Sequence, residues 1–171
     1  MRVFSVGKKE RGQATLPDIL VATFLFLLVL GGLLSYSNSL RQDAEDTLDR
    51  RALDVSAANA AEYVIKNPGV PTDWENESDI NGVTQFGLAR SDRVLRVEKI
   101  VAFVNYGNLD YEESKTRLNL GGHEFYATFE GGGLSLATGQ APPATASIST
   151  VERLVTVNNL EVVFTLRVYD D

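Results

Sequence analysis

The chain predicts an α+β fold: one long N-terminal helix, half membrane-spanning and half amphipathic, packed on a small C-terminal antiparallel sheet. Three observations predict it. Residues 19–40 form a run of 22 residues without a charge; as helix this is about 33 Å, enough to cross a hydrocarbon core of about 30 Å. Residues 40–67 contain neither Pro nor Gly and are rich in Ala, which favours continued helix. Near the C-terminus, Leu160, Val162, Phe164, Leu166 and Val168 alternate with Glu161, Val163, Thr165, Arg167 and Tyr169, the period of two of a half-buried strand.

Composition narrows the function classes. At 171 residues the chain has room for one globular domain and an appendage. Its net charge of −7 disfavours binding to a phosphate backbone, so no nucleic acid partner is expected. With no Cys and one His, thiolate metal sites, cysteine nucleophiles and histidine clusters are excluded together. No cofactor and no metal are expected.

Residues 1–12 carry Arg2, Lys8, Lys9 and Arg11 against Glu10. Beyond the apolar run only Arg41 appears before Arg50. This bias predicts a cytoplasmic N-terminus and an extracytoplasmic C-terminal part. Three readings compete. A cleaved secretory signal is compatible with Ser35, Ser37 and Ser39, but the apolar run exceeds the roughly 7–15 residues of such a signal. A permanent signal anchor is the second. The third rests on the helix that follows.

Thr15-Leu16-Pro17-Asp18 fits a capping box before an apolar run. Pro17 is tolerated in a first turn, where its missing N–H has no helical partner. Asp18 faces the positive helix end as a cap; a carboxylate so near the lipid core also suits a cationic partner on a neighbouring molecule. Leu40, Ala44, Leu48, Ala52 and Val55 form one apolar stripe. The two halves then read as one helix over residues 16–66, about 77 Å long, with Gly31-Gly32 as its weak point. Residues 13–40 are the capping segment and span, 41–67 the amphipathic continuation, and 68–171 an extracytoplasmic α+β domain.

Pro68-Gly69-Val70-Pro71 ends the helix. Trp74, the single tryptophan, is either a binding platform or a buried anchor for its loop. Asn76-Glu77-Ser78 is the one N-glycosylation sequon, making Asn76 a candidate acceptor. Residues 91–105 are expected to be a helix capped by Ser91, 105–110 a turn, and 111–118 a short helix. Residues 123–130 read as a strand, Gly131-Gly132-Gly133 as a turn and 134–137 as a second short strand. Residues 139–146 are expected to be a surface loop. Residues 150–157 and the C-terminal strand form a hairpin turning at Asn158-Asn159.

Catalytic chemistry finds little footing. His123 has no second histidine beside it and fits a structural or surface role. Asp43, Glu45, Asp46 and Asp49 spread over more than one helix face, as a solvated surface does. Glu112-Glu113 and Asp170-Asp171 read the same way. Gly131-Gly132-Gly133 lacks the Lys of a phosphate loop. An enzyme is therefore not expected.

A basic leader ending in Gly, a capping segment and a span continuous with an amphipathic helix together resemble the type IV pilin family. Arg11-Gly12-Gln13-Ala14-Thr15 is similar to the archaeal members with class III signal peptides. The phrases NPGVPTDWE (67–75), FGLA (86–89) and LDYEESKTRLNLGGHEFYATF (109–129) resemble such proteins too. The resemblance implies a pilin-like fold and cleavage of the leader 1–12 between Gly12 and Gln13 by a prepilin-type signal peptidase. The hydroxyl residue of the family pattern is matched by Thr15. The acid stands one place late, at Asp18, with Pro17 in the usual position of the family glutamate. Cleavage would move the net charge from −7 to −10.

The function implied is that of a structural subunit of a surface filament or pseudopilus. Its partners are the peptidase, copies of itself or related pilins, the assembly platform and membrane lipid. Leu20, Phe24, Leu27 and Leu28 are the expected packing residues, with Asp18 setting register. The alternative is a monomeric membrane-anchored extracytoplasmic binding or adhesion protein.

Overall fold

The structure, a computed structural model, describes residues 15–170 and, within the first helix, the side chains of all but Thr15, Leu16, Asp43 and Asp46. The capping hydrogen bond expected of Thr15 lies outside the described side chains, and the leader 1–12 outside the described residues. Helix α1 runs over Thr15–Lys66, with Asp18 in its first turn. Two compact units divide the chain, one ending at Thr47 and one beginning at Leu48.

In the second unit α1 buries Leu53, Ala57, Ala60, Ala61, Val64 and Ile65. This corrects the expected stripe: Leu40, Ala44, Leu48, Ala52 and Val55 are all exposed. Successive residues point about 100° apart around a helix, so Leu53 stands about 100° from Ala52 and about 160° from Val55 of the expected stripe. The domain packs on the alanine-rich face, where small side chains allow close approach. The sequence carries a second apolar face, and nothing local says which one the domain covers.

The last carbonyls of α1 lack helical partners, and the chain that returns from the loop supplies them. Leu88 N donates to Val64 O at 2.8 Å, Arg93 N to Ile65 O at 3.0 Å and Ala89 N to Asn67 O at 3.0 Å. Between them lie two 3-10 turns, Trp74–Asn76 and Ile80–Gly82. Asp79 caps the second, its side chain accepting from Asn81 N.

Strands β1 (Ala89–Ser91) and β2 (Val94–Leu95) follow, then α2 (Val97–Leu109) and α3 (Tyr111–Arg117). The expected start of a helix at Ser91 is therefore wrong. Residues 94 and 95 pair with Thr156 and Val157, and this tertiary pairing overrides local propensity. The expected turn at 105–110 is helix as far as Leu109. Asn105, Gly107 and Asn108 read as turn residues, but α2 buries Ile100, Phe103 and Gly107. A Cβ on Gly107 would lie 2.2 Å from Thr138 Oγ1, so Gly is required there by close approach.

Strands β3 (Glu124–Gly131), β4 (Leu134–Gly139), β5 (Ser147–Val157) and β6 (Leu160–Asp170) complete the sheet. Its order is β1-β2-β5-β6-β3-β4. The sheet is mixed, not purely antiparallel, because β2 pairs parallel to β5. Such pairing needs a long crossover, here supplied by everything from α2 to β4. At two residues, β2 carries no alternation that sequence reading can detect. The α+β class stands.

The β5–β6 hairpin turns at Asn158 and Asn159, with φ of 50° and 66°, the left-handed pair that matches strand twist. Inward residues of three strands form the core: Phe125, Ala127 and Phe129; Val151, Val155 and Val157; Val162, Phe164, Leu166 and Val168. Phe129 and Phe164 stack with ring centroids 5.0 Å apart. Leu160, in phase with this set, is 52% exposed because it stands at the hairpin's end.

One ion triad ties α1 to the sheet. The Glu62 carboxylate lies 2.6 Å from Lys66 Nζ and 2.6 Å from Arg153 Nε of β5. Hydrogen bonds from Lys66, then Arg153, hold its pKa down from 4.5 to about 2. A depressed folded-state pKa contributes stability that is complete above the unfolded value and is lost as pH falls through the folded one. We expect Glu62→Gln to destabilise the full chain in detergent by about 1–3 kcal/mol near neutral pH. The gap from wild type should close between about pH 4.5 and about pH 2. Denaturant unfolding at a series of pH values checks this; a gap independent of pH would contradict it.

Candidate functional site

The most distinctive chemical feature is the apolar half of α1. Pro17–Lys66 is the one helix among the described residues long and apolar enough to cross a membrane, and its apolar window is 0% buried. Exposure of its large apolar side chains runs from 40% at Leu30 to 67% at Leu20. A side chain of this kind left in water forgoes about 1.5–3 kcal/mol of burial, and the segment is long and apolar enough to cross a membrane.

Leu20, Phe24, Leu27 and Leu28 are all exposed on this helix. Their spacing of four, three and one puts them on one face. Asp18 is exposed in the first turn. Gly12 and Gln13 lie outside the described residues. Asn76 closes the first 3-10 turn and is exposed, as is Ser78 of its sequon. Asp18, Leu20, Phe24, Leu27 and Leu28 lie along the exposed surface of α1.

Past the apolar run, Leu40, Leu48 and Val55 remain 50%, 63% and 58% exposed. Within the second unit this face borders a groove of about 420 Å³ lined by Ala52, Val55, Ser56, Asn59, Tyr63 and Leu118 among others.

Trp74 is an anchor, not a binding platform. It is fully buried, and Nε1 donates to Gly87 O at 2.8 Å. Its ring lies 5.0 Å from that of Phe86 and 6.3 Å from that of Tyr106. Beside it is a buried lysine that sequence reading missed. Lys99 Nζ donates to Pro68 O and, at 2.6 Å, to Thr72 O, with Glu75 Oε2 3.5 Å away. Burial pushes its pKa down, and Glu75 opposes that shift. The only hint in the sequence is its place beside Ile100, four residues from both Phe103 and Leu95, at helical spacing to core positions.

The remaining titratable clusters brace the fold. His123 Nδ1 lies 2.6 Å from Asp170 Oδ1 and joins the start of β3 to the end of β6. Asp170 is thus a partner and not merely a solvated acid. Tyr111 donates to Glu124 Oε2 at 2.7 Å, and Lys115 to Glu124 Oε1 at 2.7 Å, fixing α3 to β3. Glu112 and Glu113 pair with Lys115 and Arg117. Gly131-Gly132-Gly133 is the β3–β4 turn, with φ of 106°, 59° and 83°, a run of left-handed backbone that favours Gly. Among the described residues no group of three His, Cys, Asp or Glu is placed to hold a metal.

A cavity of about 460 Å³ lies between the β1–β2 hairpin, the start of α2 and the β5–β6 turn. Arg90, Leu95, Arg96, Glu98, Asn158 and Asn159 are among its lining residues.

The fold and this surface define a class: an α+β domain preceded in the chain by an apolar helix of membrane-spanning length. Searches against family models, curated proteins and solved structures found no match to the chain.

Proposed function

We propose that this protein is a structural subunit of a type IV pilus-like filament or pseudopilus, assembled through the apolar half of α1. One observation carries the reading: the exposed apolar side chains on α1 extend farther than lipid can cover. Ile19 to Val55 is 37 residues, about 55 Å of helix, against a hydrocarbon core of about 30 Å. Leu40, Leu48 and Val55 lie beyond that length, and helices of neighbouring subunits would cover them.

The resemblance of the leader to archaeal class III signal peptides supports the same reading. In it the peptidase removes residues 1–12, the helix leaves the bilayer, and the α+β domains form the outer wall. The driving force is burial of apolar area at about 25 cal/mol per Å².

Processing tests the first step. Mature protein should begin at Gln13, and replacing Gly12 with a bulky residue should leave uncut precursor in the membrane. N-terminal sequencing and gel mobility check both. An intact Met1 in wild type would favour the monomeric anchor instead, and a new N-terminus between residues 37 and 40 would favour a secreted domain.

A further inference from the structure

We propose that Asn76 carries an N-linked glycan; the inference rests on the extracytoplasmic placement of the second unit, which the filament reading requires and the anchor reading shares. The chain has ten asparagines, and Asn76 alone has a hydroxyl residue two places on, Ser78, with a residue other than Pro between them. A three-residue match is cheap by itself, so the weight falls on how the fold presents it. Asn76 closes the 3-10 turn Trp74–Asn76, and Asn76, Glu77 and Ser78 are all exposed. The turn is anchored from within: Trp74 is fully buried, and the Tyr106 hydroxyl donates to Glu77 O at 2.8 Å. The backbone is thus fixed to the domain while the side chains at 76 and 78 stay at its surface. Glu77 between them is extended, with φ −67° and ψ 140°. Side chains on either side of an extended residue share a face, which suits an enzyme that grips the amide and the hydroxyl together.

The surroundings leave the acceptor amide available. Neither Asn76 nor Ser78 has a side-chain hydrogen bond among the described residues, whereas the amides of the nearby Asn67 and Asn81 are tied to Tyr63 O and to the Asp79 carboxylate. The Glu77 carboxylate lies against Gly82, turned toward the second 3-10 turn and not over Asn76. The chemistry is a group transfer. A bond forms from Asn76 Nδ2 to the anomeric carbon of a sugar as the bond from that carbon to the phosphate oxygen of a lipid-linked sugar donor breaks. The amide proton passes to a base of the transferase, and the lipid phosphate leaves. The product keeps the amide and replaces one N–H with a sugar, and because the Asn76 side chain packs into nothing, the fold accommodates the addition without moving its core.

The test is mass spectrometry of the full chain purified from the cells that make it. Trypsin releases residues 67–90 as one peptide, since Lys66 and Arg90 bound it and no Lys or Arg lies between them. That peptide should carry a sugar mass in wild type and in Ser78→Thr, which keeps the hydroxyl. It should lose that mass in Asn76→Gln and in Ser78→Ala. A sugar mass that persists in Asn76→Gln or in Ser78→Ala would put the sugar on another residue and overturn the assignment. An unmodified wild-type peptide would overturn the glycan, and if the same sample begins at Gln13 the filament reading stands without it. An unmodified peptide in a chain that protease added to intact cells cannot reach would overturn the outside placement too, and with it the filament reading.

Discussion

Asp18→Asn should cut incorporation into filaments by more than a hundredfold while leaving the second unit's stability unchanged. Two effects compete in size. As a cap in the first turn of α1, Asp18 contributes about 0.3–1 kcal/mol through the helix dipole, and Asn retains part of the hydrogen bonding. As the proposed charge partner for the α-amino group that cleavage would create at Gln13 of a neighbour, it would do far more. In a lipid environment, removing one member of such a pair leaves the other uncompensated, at a cost of about 3–5 kcal/mol. Each 1.4 kcal/mol is about tenfold in an equilibrium, so the second effect dominates. Filament yield at matched membrane levels of wild type and variant is the measurement. Equal yields would make Asp18 only a cap and remove it from assembly.

Trp74→Ala should destabilise the second unit by about 3–5 kcal/mol, the range for truncating a buried aromatic. The ring fills space against Phe86 and Tyr106, and its loss also orphans Gly87 O, which accepts from Nε1. The cost spreads beyond the ring. Lys99, whose ammonium lies 5.8 Å from the ring centroid, depends on the same loop for its acceptors at Pro68 and Thr72. Trp74→Phe should recover about half of the loss, since it restores packing without the N–H. Denaturant unfolding of the full chain in micelles tests both. A shift under about 1 kcal/mol for Trp74→Ala would contradict the anchor role, because buried aromatic truncations fall well above it.

Legibility in the sequence followed the range of the interactions. The apolar run, the α1 stop at Pro68, the strands at residues 124–131 and 160–170 and the Asn158-Asn159 turn are written in local patterns, and local reading found them. The β1–β2 hairpin was not found. Ser91 resembles a helix cap, and residues 94 and 95 join the main sheet through Thr156 and Val157, more than 60 residues away. Helix α2 ran past its apparent turn because Gly107 is there for Thr138 and not for a bend.

The covered face of α1 failed for another reason. Two apolar stripes exist, and a single chain offers no rule for choosing between them. The apolar run that holds Leu20, Phe24, Leu27 and Leu28 was legible because it is continuous in sequence; its part in assembly is the proposal.

Filaments sheared from cells give the sharpest test of assembly through α1. Electron microscopy, with N-terminal sequencing of the filament protein, should show surface filaments or short pseudopili that contain this chain beginning at Gln13 and that are lost when its gene is deleted. Recovery of the chain solely as a monomer in the membrane fraction, with Met1 intact and the same surface structures present with and without it, would contradict the account.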